Sequence, residues 1–265
     1  MNSETKYNKI GDEYNSTRFA DEFLTEKIFE FLNSSANEKN LDIGCGTGNY
    51  TIALANKGLN FIGVEPSTKM LEIAKSKSEK IDWKIGSAEN IPAENESIEN
   101  VIATLTIHHW TDLNKAMKEI YRILKPKGKL IIFTSTPNQM ENYWLNNYFP
   151  KMMEKSIQQM PSIQKIETEL VNTGFQITET EKYFVTYQLQ DFFLYSGKER
   201  PEIYLQEKFR KGISSFASLS NKDEVLKGVE MLRQDLTNGN FNKIKNKFEE
   251  NCGDYIFILA KKDIA

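Results

Sequence analysis

The stretch LDIGCGTGNYT, residues 41–51, places Gly44, Gly46 and Gly48 between an apolar run and a helical pattern. Glycines at such a turn let the backbone bend sharply and let a ligand approach it, with the N-terminus of the next helix aimed at that ligand. The dinucleotide fingerprint G-x-G-x-x-G would have its third glycine at Asn49, and no Lys-Ser or Lys-Thr pair of a phosphate loop follows. The stretch therefore predicts a strand–turn–helix ligand site of another kind.

Strand and helix patterns alternate around this glycine loop. Apolar runs typical of strands are at residues 40–43, 60–65, 83–85, 100–105 and 130–134. Amphipathic helical patterns begin near Asn49, Ser67 and Asp112. This alternation predicts a parallel sheet covered by helices on both faces.

The segments flanking this core have patterns of their own. Residues 17–33 carry Phe19, Phe23 and further apolar residues at helical spacing, and residues 175–187 and 254–260 predict two more strands. We expect one domain over residues 1–265. Its parts are a helical lid at 1–36, a ligand-binding core at 37–136, helical cap inserts at 137–160 and 190–250, and a final strand at 254–262.

Composition excludes several classes of protein. Lys and Arg total 34 against 37 Asp and Glu, which argues against a nucleic-acid partner. We found no long apolar run and no signal-like start, so we expect a cytoplasmic protein without a membrane partner. Two cysteines, Cys45 and Cys252, and two adjacent histidines provide neither a disulfide framework nor a metal site. The sequence leaves open whether the protein is a monomer or a homodimer.

A carboxylate completes the glycine loop. Glu65 ends the strand pattern of FIGVEPS, 21 residues after Gly44. From that position a carboxylate accepts hydrogen bonds from both hydroxyls of a ribose. The glycine loop and Glu65 together predict a nucleoside-binding site.

Four motifs in order, LDIGCGTG, GVEPS, GSAENIP and YRILKPKGKLIIF, span residues 40–133. They resemble those of the class I S-adenosylmethionine-dependent methyltransferases, in the small-molecule branch that includes methyltransferase types 11 and 25. The resemblance implies a doubly wound, Rossmann-like α/β fold. Its seven-stranded sheet is mostly parallel with an antiparallel last strand, and it has helices on both faces and a helical cap. The implied reaction moves a methyl group from S-adenosyl-L-methionine to an oxygen, nitrogen or carbon atom of a small metabolite, leaving S-adenosyl-L-homocysteine.

The resemblance also implies which residues bind the cofactor. The glycine loop would wrap the methionine part and the ribose, Asp42 would reach the amino-acid end, and Pro66 with Met70 would flank the adenine. Members of the family often have an acid where this chain has Ser87, so we expect weaker recognition of the adenine amine. The expected cofactor set is Tyr14, Arg18, Asp42, Gly44, Cys45, Gly46, Thr47, Gly48, Glu65, Pro66, Met70, Ser87, Ala88, Glu89, Thr104 and Leu105.

Candidate catalytic residues follow the fourth strand, where open parallel sheets bind ligands. His108 and His109 are the two histidines of the chain, and either is a candidate general base, slightly in favour of His108. Packing or capping is the competing interpretation for both. The Asn/Asp-Pro-Pro-aromatic motif of amino-methylating nucleic-acid enzymes is absent at residues 104–107. Candidate substrate-binding residues are Tyr7, Trp110, Tyr143, Trp144, Tyr148 and Tyr195.

Two alternatives to methyl transfer remain open at this point. A non-methylating protein that binds the same cofactor would share the glycine loop and Glu65. An NAD-type oxidoreductase is disfavoured because Asn49 replaces the third glycine. Arg18, four residues after Tyr14, would reach the cofactor carboxylate or an acidic substrate, or else form a surface salt bridge.

Overall fold

A computed structural model describes residues 17–248 and 251–263. Seven strands of these residues form one sheet. They are β1 (Lys39–Ile43), β2 (Asn60–Glu65), β3 (Asp82–Ile85), β4 (Ile98–Thr104), β5 (Leu124–Thr134), β6 (Phe175–Tyr183) and β7 (Tyr255–Lys262). Their order in the sheet is β3-β2-β1-β4-β5-β7-β6. Strands β1 to β5 pair in parallel, whereas β7 runs antiparallel to both β5 and β6. The predicted doubly wound sheet with an antiparallel last strand is confirmed.

Helices cover both faces of this sheet. In the first half of the chain they are α1 (Glu22–Leu32), α2 (Asn49–Asn56), α3 (Thr68–Lys77), α4 (Leu113–Ile123), α5 (Pro137–Glu141), α6 (Leu145–Tyr148), α7 (Pro150–Gln158) and α8 (Ile163–Thr173). Those between β6 and β7 are α9 (Glu207–Gly212), α10 (Ser214–Ser218), α11 (Lys222–Thr237) and α12 (Phe241–Lys245). Short 3-10 turns lie at Ile107–His109 and Pro201–Leu205. No helix in the described ranges is apolar over a length that would span a bilayer.

Side-chain alternation along the central strands builds two cores. On β5, Leu130 and Ile132 belong to the core under α4 and α8, while Ile131 and Phe133 belong to the core on the opposite face. Both faces are apolar because both are covered by helices. The second core continues into the segments that precede and follow β6.

Local sequence signals set the helix starts. Ser67 and Asp112 are N-caps, whose side chains accept hydrogen bonds from the backbone N–H groups of Met70 (3.3 Å) and Lys115 (3.0 Å). Gly174 ends α8 with a φ of 101°, which places the chain for its return as β6.

Several predicted boundaries are corrected by the structure. The first helix begins at Glu22 rather than at residue 17, because Asp21 caps it. Phe19 and Phe23 are 51% and 56% exposed, so they are not part of its buried stripe. Strand β6 ends at Tyr183 rather than at residue 187, and residues 191–200 form turns rather than a helix.

Candidate functional site

A cleft of about 370 Å³ opens at the carboxyl ends of β1, β2 and β4. Sheet order reverses between β1 and β4, which are neighbours although they are not consecutive in the chain. Such a switch point leaves a crevice because the connections on its two sides turn to opposite faces of the sheet. The parallel topology thus creates the space that the glycine loop and Glu65 border.

The glycine loop fits this position for two different reasons. Gly44 has a φ of +72°, and a Cβ there would come within 2.0 Å of the Thr106 hydroxyl, so the packing requires glycine. Gly46 has a φ of +55°, but a Cβ there would meet no heavy atom within 4 Å. Gly46 therefore leaves its backbone open to the cleft, where a ligand can approach closely.

Glu65 is oriented by the loop that it faces. It is 6% exposed, and its two carboxylate oxygens accept hydrogen bonds from the N–H groups of Gly46 (3.1 Å) and Ser67 (3.0 Å). Burial raises the pKa of Glu65, although these two hydrogen bonds oppose that rise. The carboxylate is thereby held at the cleft with its geometry fixed before any ligand binds.

A second buried acid lies beside Glu65. Asp42 is 3% exposed and accepts a hydrogen bond of 2.6 Å from the Thr51 hydroxyl. Burial raises the pKa of Asp42 from 3.8 to about 7, with a further contribution from the charge of Glu65 and opposition from the Thr51 hydrogen bond. A positively charged group of a ligand placed beside Asp42 would favour its ionised form.

An ion pair from distant parts of the chain borders the same cleft. The Arg18 guanidinium donates to both carboxylate oxygens of Asp191, at 2.5 Å from Nε and 2.9 Å from Nη2. Their side chains are 13% and 1% exposed. The Tyr50 hydroxyl also donates to Asp191 (3.2 Å), and the Asn49 side chain donates to the Arg18 carbonyl oxygen (2.9 Å). Asn49, at the position of a third fingerprint glycine, thus connects the glycine loop to the segment before α1.

The loop after β3 closes another side of the cleft. Glu89 accepts hydrogen bonds from the backbone N–H groups of Thr111 (2.6 Å) and Asp112 (3.2 Å), and from the Thr111 hydroxyl (3.0 Å). Burial alone would raise the pKa of Glu89, but the hydrogen bonds outweigh burial and lower it. Its carboxylate therefore fixes the chain after β4 as well as lining the cleft.

The end of β4 carries an unusual backbone conformation. Leu105 has a φ of 53°, a left-handed value that is uncommon for a branched side chain, and its N–H donates to the Phe133 carbonyl oxygen (2.8 Å). Such strain concentrates at functional sites. The 3-10 turn that follows brings His109 and Trp110 to the cleft, whereas His108 lines a smaller neighbouring cavity.

Comparisons with known proteins agree with this geometry. A methyltransferase domain family matches residues 41–132. A crystal structure described as a methyltransferase from an antibiotic biosynthesis pathway of Anabaena variabilis is 36% identical, with a TM-score of 0.82, over 92% of this chain and 98% of that one. The chain belongs to the class I S-adenosylmethionine-dependent methyltransferases.

Two further comparisons show how far the likeness extends. An uncharacterised methyltransferase of Oceanobacillus iheyensis is 35% identical over 135 residues, which are 50% of this chain and 58% of that protein. The chain therefore spans less than two thirds of this curated relative. The [4+2]-cyclase SpnF shares the fold at a TM-score of 0.55 and 16% identity, over 92% of this chain and 82% of that one.

Most of the cofactor residues that the sequence predicts lie together on the cleft. They are Arg18, Asp42, Gly44, Cys45, Gly46, Thr47, Glu65, Pro66, Met70, Ser87, Ala88, Glu89, Thr104 and Leu105. Gly48 caps α2 and faces the Trp83 ring rather than the cleft. Tyr7 and Tyr14 lie outside the described residues. That each of these residues binds the cofactor stays a prediction.

Four of the predicted substrate-binding aromatic residues lie away from the cleft and from its neighbouring cavity. Tyr143, Trp144, Tyr148 and Tyr195 are each at most 2% exposed, and none of them lines the cleft or its neighbouring cavity. They pack into the core of the cap, where the Tyr143 and Tyr195 rings stack at 3.8 Å. Large aromatic rings stabilise a fold most when they are fully buried, so these four side chains contribute to the stability of the cap.

The sequence analysis missed further residues on the cleft. They are Ile43, Asn49, Tyr50, Thr106, Thr111 and Asp191. The positions beside the glycine loop follow from its spacing and could have been included. Asp191 lies 173 residues from its partner Arg18 and belongs to no motif, so no sequence signal identifies it.

Proposed function

We propose that this chain transfers a methyl group from S-adenosyl-L-methionine to a small metabolite and releases S-adenosyl-L-homocysteine. The observation that carries this proposal is the buried Glu65 carboxylate, held against the Gly46 N–H at a cleft of about 370 Å³. That volume lies in the range typical of small-molecule sites. The geometry fits a nucleoside whose ribose hydroxyls donate to Glu65.

Other cleft residues fit the remaining parts of the same cofactor. Asp42 supplies negative charge for an ammonium group, and the open backbone at Gly46 permits close approach of the chain. Pro66 and Met70 offer apolar surface on the adenine side. When bound, the cofactor supplies an electrophilic methyl group on a sulfonium.

The residues after β4 fit the remaining chemistry. In-line displacement needs an acceptor atom held close to the methyl group, aligned with it and shielded from water. His109 lies on both the cleft and the neighbouring cavity, so it is better placed than His108 to accept a proton from the acceptor. This assignment replaces the slight preference for His108 that the sequence suggests.

A titration tests the cofactor assignment. Calorimetry with S-adenosylmethionine, S-adenosylhomocysteine and NAD is expected to show binding of the first two only. Glu65→Ala should lose that binding, whereas Glu72→Ala, an exposed acid on α3, should keep it. Binding of NAD alone would refute the proposal in favour of an oxidoreductase.

A labelling experiment tests the transfer itself. The protein is incubated with methyl-tritiated S-adenosylmethionine and either a low-molecular-weight metabolite extract or the protein and nucleic-acid fractions. We expect label in the metabolite fraction, with slower transfer by His109→Asn and unchanged cofactor affinity. Cofactor binding with no labelled product in any fraction would favour the non-methylating alternative, since SpnF shows that the fold is also used by a protein described as a cyclase.

A further inference from the structure

A second, smaller cavity of about 70 Å³ continues from the cofactor cleft into the cap. The two cavities share three lining residues, Arg18, Leu105 and His109. Its other walls come from α5, α7, α10 and the turns after β6. The cavity therefore adjoins the cleft at the strained residue after β4.

Apart from Arg18 and the two histidines, the lining of this cavity consists of apolar residues and neutral polar residues. Its apolar residues include Met140, Met160, Phe193 and Ile213, and its neutral polar residues include Ser135, Ser156 and Ser215. Among the described residues that line it there is no aspartate, glutamate or lysine. The guanidinium of Arg18 is already hydrogen-bonded to both oxygens of Asp191.

Such a lining discriminates by charge. An ammonium group that entered would lose its hydration, and no aspartate or glutamate among the described residues lining the cavity would compensate. A carboxylate would meet Arg18 as its one cationic neighbour among those residues, and the Arg18 guanidinium is already bound to Asp191. An apolar group would gain from burial in proportion to its area. The flexible side chains of Met140 and Met160 let the cavity adapt to the shape of such a group.

We propose that this cavity is the acceptor site and that it takes the uncharged, apolar end of the methyl acceptor. This inference rests on the proposed function, because the acceptor must enter from the side of the transferable methyl group. Charged acceptors such as amino acids, phosphate esters or primary amines are excluded from this cavity by their desolvation. The cavity volume allows only a few non-hydrogen atoms to be buried beyond the accepting atom.

Cofactor analogues that extend into the cavity test this inference directly. In the amine analogues of S-adenosylhomocysteine, nitrogen replaces sulfur and carries a methyl, butyl, 3-ammoniopropyl or 2-carboxyethyl group. We expect the butyl analogue to bind more tightly than the methyl analogue, by about fourfold for each methylene that is buried. The two charged analogues should bind at least about tenfold more weakly than the butyl analogue, because their charge is desolvated.

The outcomes separate this inference from the proposed function. The inference is overturned, with the cofactor site left intact, if the methyl analogue binds but the butyl analogue binds no more tightly than it. The same holds if a charged analogue binds as tightly as the butyl analogue. A methyl analogue that fails to bind would overturn the proposed function, and the inference with it.

Two variants of the cavity and one control test whether the preference for the butyl analogue arises in this cavity. Ser215→Leu fills the cavity, so it should remove the advantage of the butyl analogue without changing the affinity for the methyl analogue. Ser218→Leu, exposed on the same short helix, should change neither affinity. Met160→Ala, at a half-buried position, widens the cavity, so a hexyl analogue added to the series should bind this variant more tightly than the butyl analogue does. An unchanged ranking of the analogues in both cavity variants would contradict the proposed placement.

Discussion

The buried carboxyl of Asp42 predicts a specific dependence of stability on pH. Its pKa is about 7 in the folded protein against 3.8 for the ordinary carboxyl, chiefly because burial disfavours the charge. Between about pH 4 and pH 7 the folded state therefore holds a proton that the unfolded state has released. The free energy of unfolding contributed by Asp42 falls as the pH rises through this window, by about 4 kcal/mol in total.

Asp42→Asn isolates this contribution. The amide carries no charge, yet its oxygen still accepts the hydrogen bond from the Thr51 hydroxyl. Urea denaturation of both proteins at pH 5 and pH 8 is the assay. We expect the stability of the variant relative to wild type to rise by about 3 kcal/mol between these two pH values.

A control variant and a second readout make this prediction refutable. Asp82→Asn, at an exposed position on β3, should follow the pH dependence of wild type. If Asp42→Asn also follows wild type, the protonation of Asp42 reasoned from its burial is wrong. In addition, a ligand ammonium near Asp42 would favour its ionised form. Cofactor binding below pH 7 should therefore release a proton, measurable by calorimetry in two buffers, and Asp42→Asn should abolish that release.

Three further predictions concern packing around the site. Asp191→Ala removes the buried carboxylate that pairs with the Arg18 guanidinium and should cost about 3–5 kcal/mol of unfolding free energy. The double variant Arg18→Met with Asp191→Leu should cost less than either single change, and additive effects in urea denaturation would contradict this. Gly44→Ala should destabilise the protein and abolish cofactor binding, because the new Cβ would overlap a threonine hydroxyl. Gly46→Ala has open space at its Cβ, so it should lower the melting temperature only by the strain of its left-handed backbone, and thermal melting compares the two variants. Trp144→Ala should lower the free energy of unfolding by about 3–5 kcal/mol yet leave cofactor affinity unchanged. A loss of affinity without a loss of stability would show that Trp144 contributes to binding.

The parallel core of the fold and the residues that border the cleft were accessible from the sequence because their signals are local. Glycines at every second position and an acid at the end of the next strand can be recognised without any distant contact. Once the strands are parallel, their carboxyl ends meet at one edge of the sheet. That rule alone predicts that Asp42, Gly46 and Glu65 share one cleft.

The cap could not be predicted in the same way, because its pattern does not distinguish a buried aromatic core from an aromatic pocket wall. Tyr143 and Tyr195 have the composition of a binding site, and only their packing against each other shows that they are core. The pairing of Arg18 with Asp191 brings together residues 173 positions apart.

The sequence by itself determined the parallel part of the sheet, the glycine loop and the acid that faces it, because each depends on periodicity and short spacing. Only the tertiary structure decided which histidine reaches the cleft, which acid neutralises Arg18 and where the second cavity lies. Those features depend on how the cap inserts fold back over the sheet. Their contacts join residues far apart in the chain, and no local pattern encodes them.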